Sequence, residues 1–189
     1  MKNAEKLNPK ESLDIISDAI QKTKENIKEQ NFYYLLWGWF AAIAAIMSYL
    51  IMNFTTFKFD FLPWAILMPL GGIITMIYAI RYSKHKSYET YLDGFLKYVW
   101  IVVGVSFILV VFTSLILKVN PTIFVLLIAG IGTLISGLIM KFKPLIWGGI
   151  LFFVFSLTSV FLDDSLRLLI FAIAIITGYL VPAYILKKS

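Results

Sequence analysis

Six long stretches of the chain carry no charged side chain: 32–52, 61–80, 98–117, 122–140, 145–162 and 168–186. An α-helix rises 1.5 Å per residue, so each stretch is close to the ~20 residues needed to cross about 30 Å of hydrocarbon. Lipid offers no partner to backbone N–H and C=O groups, and a strand pattern alternating apolar with polar residues is absent, so the stretches are expected to be helices. With 60% hydrophobic and 15% charged residues, against about 25% charged in ordinary soluble domains, most of the chain belongs in a bilayer. The expected fold is all-α: a polytopic membrane protein with six transmembrane helices over residues 32–189, preceded by an arm over residues 1–31.

Orientation follows from the basic residues, which cluster beside spans on the cytoplasmic side. If residues 1–31, 81–97, 141–144 and 187–189 lie inside, fourteen lysines and arginines face the cytoplasm and three (Lys58, Lys118, Arg167) face outward. Both termini are therefore expected in the cytoplasm, with the protein in a bacterial inner membrane. The net charge of +6 reads as topology, and nucleic acid is not an expected partner. Pro9, Pro63, Pro121 and Pro144 fall near helix starts, where a missing N–H costs nothing. Asn8, Asn120 and Asp164 or Ser165 are expected caps. Pro69 and Pro182 lie inside spans and should kink them, freeing the carbonyls of Ala65 and Gly178. Trp37, Trp39, Trp100 and Trp147 should mark the inner interface, and Trp64 the outer one.

A weak repeat runs through the chain. Leu35, Leu36, Trp37 and Gly38 open the first span, Leu145, Ile146, Trp147 and Gly148 open the fifth, and Tyr98, Val99 and Trp100 open the third more loosely. The repeat suggests three hairpins inserted in the same orientation. Small residues four apart, such as Gly38 with Ala42 and Gly132 with Ser136, allow helices to approach closely and point first to packing within one chain.

The arm has its own pattern. Leu13, Ile16, Ile20, Thr23 and Ile27 recur at alternating spacings of three and four, one stripe of an amphipathic helix, and charged residues fill much of the remainder. Six acids balance six lysines, a poor polar face for anionic lipid. Leu13, Ile16, Ile20 and Ile27 are therefore expected to dock a protein surface: the inner loops, a partner, or the same helix of a second copy. In the 81–97 segment, Arg81, Lys84 and Lys86 form a basic cluster around His85. This cluster anchors the inside edge of the span and is the candidate contact for membrane lipid headgroups.

Catalytic chemistry finds no foothold. All six stretches lack the ionisable residue that a proton or ion path normally leaves inside a span. Without cysteine, and with one histidine, neither a thiolate nor a clustered metal site can be built. No catalytic residue, cofactor or metal is expected, and the protein is not read as an enzyme.

Several segments together resemble a known group. They are Glu11, Ser12, Leu13, Ile15 and Ile16 in the arm; Tyr34 to Trp39 at the first junction; Lys141 to Gly149; and Gly178 to Pro182 followed by Lys187. They resemble an uncharacterised family of small six-helix inner-membrane proteins of Bacteroidota, and the likeness covers nearly the whole chain. The resemblance implies the topology above and brings no activity or substrate. Association of such proteins with a small winged-helix regulator implies a membrane-stress role. The expected function is thus a non-enzymatic interaction or stress-response protein acting through its cytoplasmic helix and inner rim. The alternative is a small-molecule transporter or channel using the proline-kinked second and sixth helices.

Overall fold

The computed structural model describes residues 9–57, 59–83 and 91–188, with the backbone alone at 9–29, 82–83, 91–93 and 188. All regular structure among the described residues is helical: α1 Pro9–Phe54, α2 Leu62–Ser83, α3 Tyr91–Leu117, α4 Thr122–Ile139, α5 Lys143–Ser159, and α6 Asp164–Ile175, which runs through a π-helical turn, Ile176–Leu180, into α7 Val181–Lys188. Five helical segments are long and apolar enough to cross a membrane: Gln30–Phe54, Leu62–Arg81, Gly94–Leu117, Thr122–Ile139 and Asp164–Lys187. A sixth apolar helix, Lys143–Ser159, is shorter at 17 residues.

Several boundaries differ from expectation for identifiable reasons. The arm and the first span are one uninterrupted helix of 46 residues. No glycine or proline stands between Pro9 and the span to break it, so it extends about 70 Å at 1.5 Å per residue. The fifth helix starts and ends earlier than 145–162. At its start, the preceding helix stops in a Schellman turn: Lys141 adopts φ 52° and Phe142 donates back to the Gly137 carbonyl. The last helix starts at Asp164, four residues before the apolar stretch, and Asp163 occupies its cap position without a side-chain cap bond. Asp164 is instead ion-paired with Arg167 at 2.8 Å, and Ser165 bonds Asn53. Asn120 does cap: its Oδ1 accepts from the Thr122 N–H at 3.0 Å. Asn8 lies outside the described residues.

The hairpin partners α1 and α2, α3 and α4, and α5 and α6 pack together, but the tightest seam lies between α4 and α5, and a second joins α1 to α6. There is no comparable seam between α2 and α3 among the described residues. The core therefore sits among α1, α4, α5 and α6, around Tyr34, Ala45, Leu126, Phe152 and Ala174. Ala41, Ala42, Ala44 and Ala45 turn a nearly flat face of α1 inward. Without a hydrophobic drive between helices in lipid, such small side chains matter because they let backbones close on each other.

Candidate functional site

The candidate site begins at Pro182. Proline has no N–H to donate to the carbonyl four residues back, so the α-helical ladder fails at Gly178. The helix widens ahead of it: the Val181 N–H bonds Ile176 O, the five-residue spacing of a π-turn. A side chain at 178 would not fit, because an added Cβ would fall 2.5 Å from the Phe152 ring. On the other side, the Gly178 carbonyl lies where a Cβ on Gly148 would be, also at 2.5 Å. Gly38 of α1 abuts Leu180, with its missing Cβ 2.7 Å from that side chain. The repeated Trp-Gly pairs thus supply two glycines, Gly38 and Gly148, that grip one π-turn from opposite helices.

Held in this way, the turn directs Tyr179 into the bundle. Its ring meets Phe152 edge-on with centroids 4.9 Å apart, lies 5.8 Å from Tyr34, and Trp100 of α3 stands edge-on to Tyr34 at 5.7 Å. Ser136 of α4 flanks the Tyr34 hydroxyl and Thr133 flanks that of Tyr179. Tyr34 and Tyr179 are both almost fully buried, as is Asn31 one turn earlier on α1. The Tyr34 and Tyr179 hydroxyls and Asn31 Oδ1 complete no hydrogen bond. Apart from these tyrosines, every buried polar side chain among the described residues is asparagine, serine or threonine, and none carries a charge. Such oxygens can orient a neutral hydrogen-bonding molecule, but they offer no general base and no charge.

A second polar group closes the opposite end. Arg167 Nε donates to the Ser159 carbonyl at 2.9 Å, its terminal nitrogen pairs with Asp164, and Asn120 Nδ2 donates to the same Asp164 oxygen at 3.0 Å. This ties the α3–α4 turn to the start of α6. No group of histidine, cysteine or acidic residues suited to a metal ion occurs among the described residues.

The residues singled out from sequence fare differently. Pro182 adjoins the site. Pro69 lies within α2, which remains one helix from Leu62 to Ser83. Leu13, Ile16, Ile20 and Ile27 lie on the continuous N-terminal part of α1, where the backbone alone is described. Arg81 lies in the last turn of α2 at an exposed position, and Lys84, His85 and Lys86 lie outside the described residues. Two tryptophans expected as interface markers turn inward: Trp100 to the tyrosines and Trp64 onto Phe171. Trp39 remains partly outside while donating to the Tyr184 hydroxyl. Tyr34 and Tyr179 do not stand out as site residues in the sequence, because a tyrosine near a span end reads first as an interfacial residue. The signal that marks them is the pairing of Tyr179 with Gly178 and Pro182.

No family model, curated protein or solved structure matches the chain. Its function rests on its own geometry.

Proposed function

We propose that the chain is a non-enzymatic inner-membrane protein of six spans, with both termini cytoplasmic, that engages a cytoplasmic protein partner through the N-terminal part of α1. α5 counts as the sixth span because it is sandwiched between α4 and the π-turn of the last helix. Supporting the functional reading is one observation, the continuity of α1 from Pro9 to Phe54. A helix without a break transmits tilt and rotation, so a partner bound to the arm acts directly on the bundle.

Register sharpens the choice of partner. Leu13, Ile20 and Ile27 precede Tyr34 and Ala41 by whole heptads, and seven residues fall only about 20° short of two turns. The apolar stripe thus continues the side of α1 that carries the buried Tyr34, Ala41 and Ala45. A second copy lying on this stripe would have to share the side already filled by its neighbour's bundle. A different protein, small enough to sit beneath the inner end, meets no such conflict. The basic cluster around Arg81 serves as the contact with anionic headgroups on the same side.

The transporter reading draws support from the π-turn at Pro182. Against it, Gly38 and Gly148 close on that turn from two sides, which favours a packed joint over a path.

The test uses the absence of native cysteine. In intact cells, an impermeant thiol reagent should label Thr56→Cys and spare Ser12→Cys; the reverse pattern sinks the topology. A photo-crosslinking residue at position 16 or 20 should give an adduct larger than the monomer that is not a dimer, while one at Asp18 should not. An adduct with the mass of two copies overturns the heterologous partner, and the absence of any stripe-specific adduct overturns docking itself.

A further inference from the structure

The connection between α1 and α2 alternates aromatic with charged residues: Phe57, Lys58, Phe59, Asp60, Phe61. Its three rings touch in series, Phe57 to Phe59 with centroids 5.4 Å apart and Phe59 to Phe61 at 5.9 Å, both edge-on. They form one apolar ladder, yet the residues are 50%, 54% and 57% exposed. A contiguous apolar surface left open in this way marks a contact.

The height of the ladder is fixed by a hydrogen bond. Ser48 of α1, buried in the bundle, donates to the Asp60 carbonyl at 2.6 Å. Ser48 lies about 9 Å below the end of α1 at Phe54, at 1.5 Å per residue. The chain from Phe54 to Asp60 can reach about 20 Å at most, and it must also cross the roughly 8–10 Å between packed helices. It therefore runs down the flank of α1, with little length left to arch above it. At the top of α1, Asn53 bonds Ser165 at 2.7 Å, beside the Asp164 that joins Arg167 and Asn120. The polar layer at this end thus lies level with Asn53, and the ladder hangs between it and Ser48.

Below, the ladder runs into an exposed stripe of α2, Leu62, Ile66, Ile73 and Ile77, which share one helix face. On the reading of α2 as a membrane span, acyl chains cover this stripe and continue onto the ladder. Phenylalanine suits that place: it lacks the polar tip that holds tryptophan and tyrosine among headgroups. A drop of about 9 Å falls within the roughly 5–10 Å to which interfacial apolar faces sink. Backbone near that depth needs partners. The Phe57 N–H donates to Thr55 Oγ1 at 3.2 Å, and the Leu62 N–H to the Phe59 carbonyl at 3.1 Å.

We propose that Phe57, Phe59 and Phe61 form a lipid-binding wedge, seated at the boundary between headgroups and acyl chains in the leaflet at this end of the bundle. The wedge rests on the reading of the helices as spans and is separate from the docking of the arm.

Nitroxide labels on single cysteines test it, in the full chain reconstituted in vesicles of phosphatidylethanolamine and phosphatidylglycerol. A label at Phe59→Cys should collide more with oxygen, which concentrates among acyl chains, than with a water-soluble nickel chelate; one at Thr56→Cys should do the reverse. With Phe57→Ser and Phe61→Ser added, the label at Phe59→Cys should shift toward nickel, because its neighbours no longer hold the connection down. Gly104→Cys on α3, where nothing lies within 4 Å of the added Cβ, separates the two readings. If that label meets oxygen while the one at Phe59→Cys meets nickel, the wedge alone is overturned. If both meet nickel, the spans fall and the wedge with them. Few collisions with either probe at Phe59→Cys would mean that protein, such as a second copy, covers the ladder. That result, or no shift in the serine variant, also overturns the wedge.

Discussion

α3 and the α4–α5 pair are built from the same apolar alphabet, yet they pack very differently. In α3 and α2 only 11% of the most apolar window is buried, against 44% in α4 and 50% in the last helix. Apolarity cannot explain the contrast, because lipid tails solvate leucine and phenylalanine as well as another helix does. Glycine placement does explain it. A Cβ added at Gly149 would come within 2.7 Å of the Leu134 backbone, and one at Gly137 within 2.7 Å of the Ile146 nitrogen, whereas Gly72, Gly94 and Gly104 on α2 and α3 face open space. Core seams form where glycine permits backbone contact. The outer helices lie against α1 and α4 mainly through side chains.

The largest expected effect breaks this contrast at its strongest point. Gly148→Val places branched carbon against the Gly178 carbonyl and should cost about 3 kcal/mol or more, beyond the usual 1–3 kcal/mol of overpacking. Gly104→Ala on α3, with nothing near its Cβ, should stabilise by up to about 1 kcal/mol through helix propensity. Reversible unfolding in detergent reads both; equal destabilisation by the two would remove the distinction between core and periphery. Next comes Trp100→Ala. Trp100 reaches Tyr34 and Tyr179 from α3, so the change should cost about 2–3 kcal/mol and expose α3 to protease before the rest of the bundle. Uniform protection of α3 in that variant would show that it is not held by this side chain.

Smaller effects sharpen the comparison. Arg167→Ala removes the side-chain donor to the Ser159 carbonyl and one of the two donors to Asp164, the other being Asn120, and should cost about 1–2 kcal/mol. Asp164→Ala, at a more exposed partner, should cost about 0.5 kcal/mol and less in high salt. A larger loss for Asp164→Ala than for Arg167→Ala would reverse the assignment of Arg167 as the tie. Lys141 and Lys118 both end helices at positive φ, 52° and 55°, a conformation costing a side-chain-bearing residue about 1 kcal/mol. Lys141→Gly, at the α4–α5 seam, should raise global stability by about that amount. Lys118→Gly, at the end of the peripheral α3, should leave it nearly unchanged, because that end can fray before the core unfolds. Equal gains would place α3 within the cooperative core.

Much of the helical framework is legible in the residues alone. The stretch 122–140 becomes Thr122–Ile139 and 61–80 becomes Leu62–Ser83, because charge-free length in lipid leaves the backbone no choice but a helix. Asn120 declares its cap by preceding Pro121. The candidate site is scarcely legible: Pro182 marks a fault in the last helix, but whether it opens as a kink or widens as a π-turn depends on Gly148 and Phe152 arriving from another helix. The contacts of Trp64 with Phe171 and of Trp100 with Tyr34 leave no mark in the sequence, since an indole looks the same there whether or not a neighbouring ring meets it.

By itself, then, the sequence determined the helices and their approximate ends, because those follow from the length and apolarity of each segment alone. Only the tertiary structure decided which helices are central, that the arm and first span are one rod, that Asp164 serves Arg167 rather than a cap, and that two tyrosines meet above Ser136 and Thr133. Most of these depend on backbones far apart in the chain coming within a few ångströms, and where lipid and protein are equally apolar, that choice is made by the fit of small residues, which hydropathy does not record.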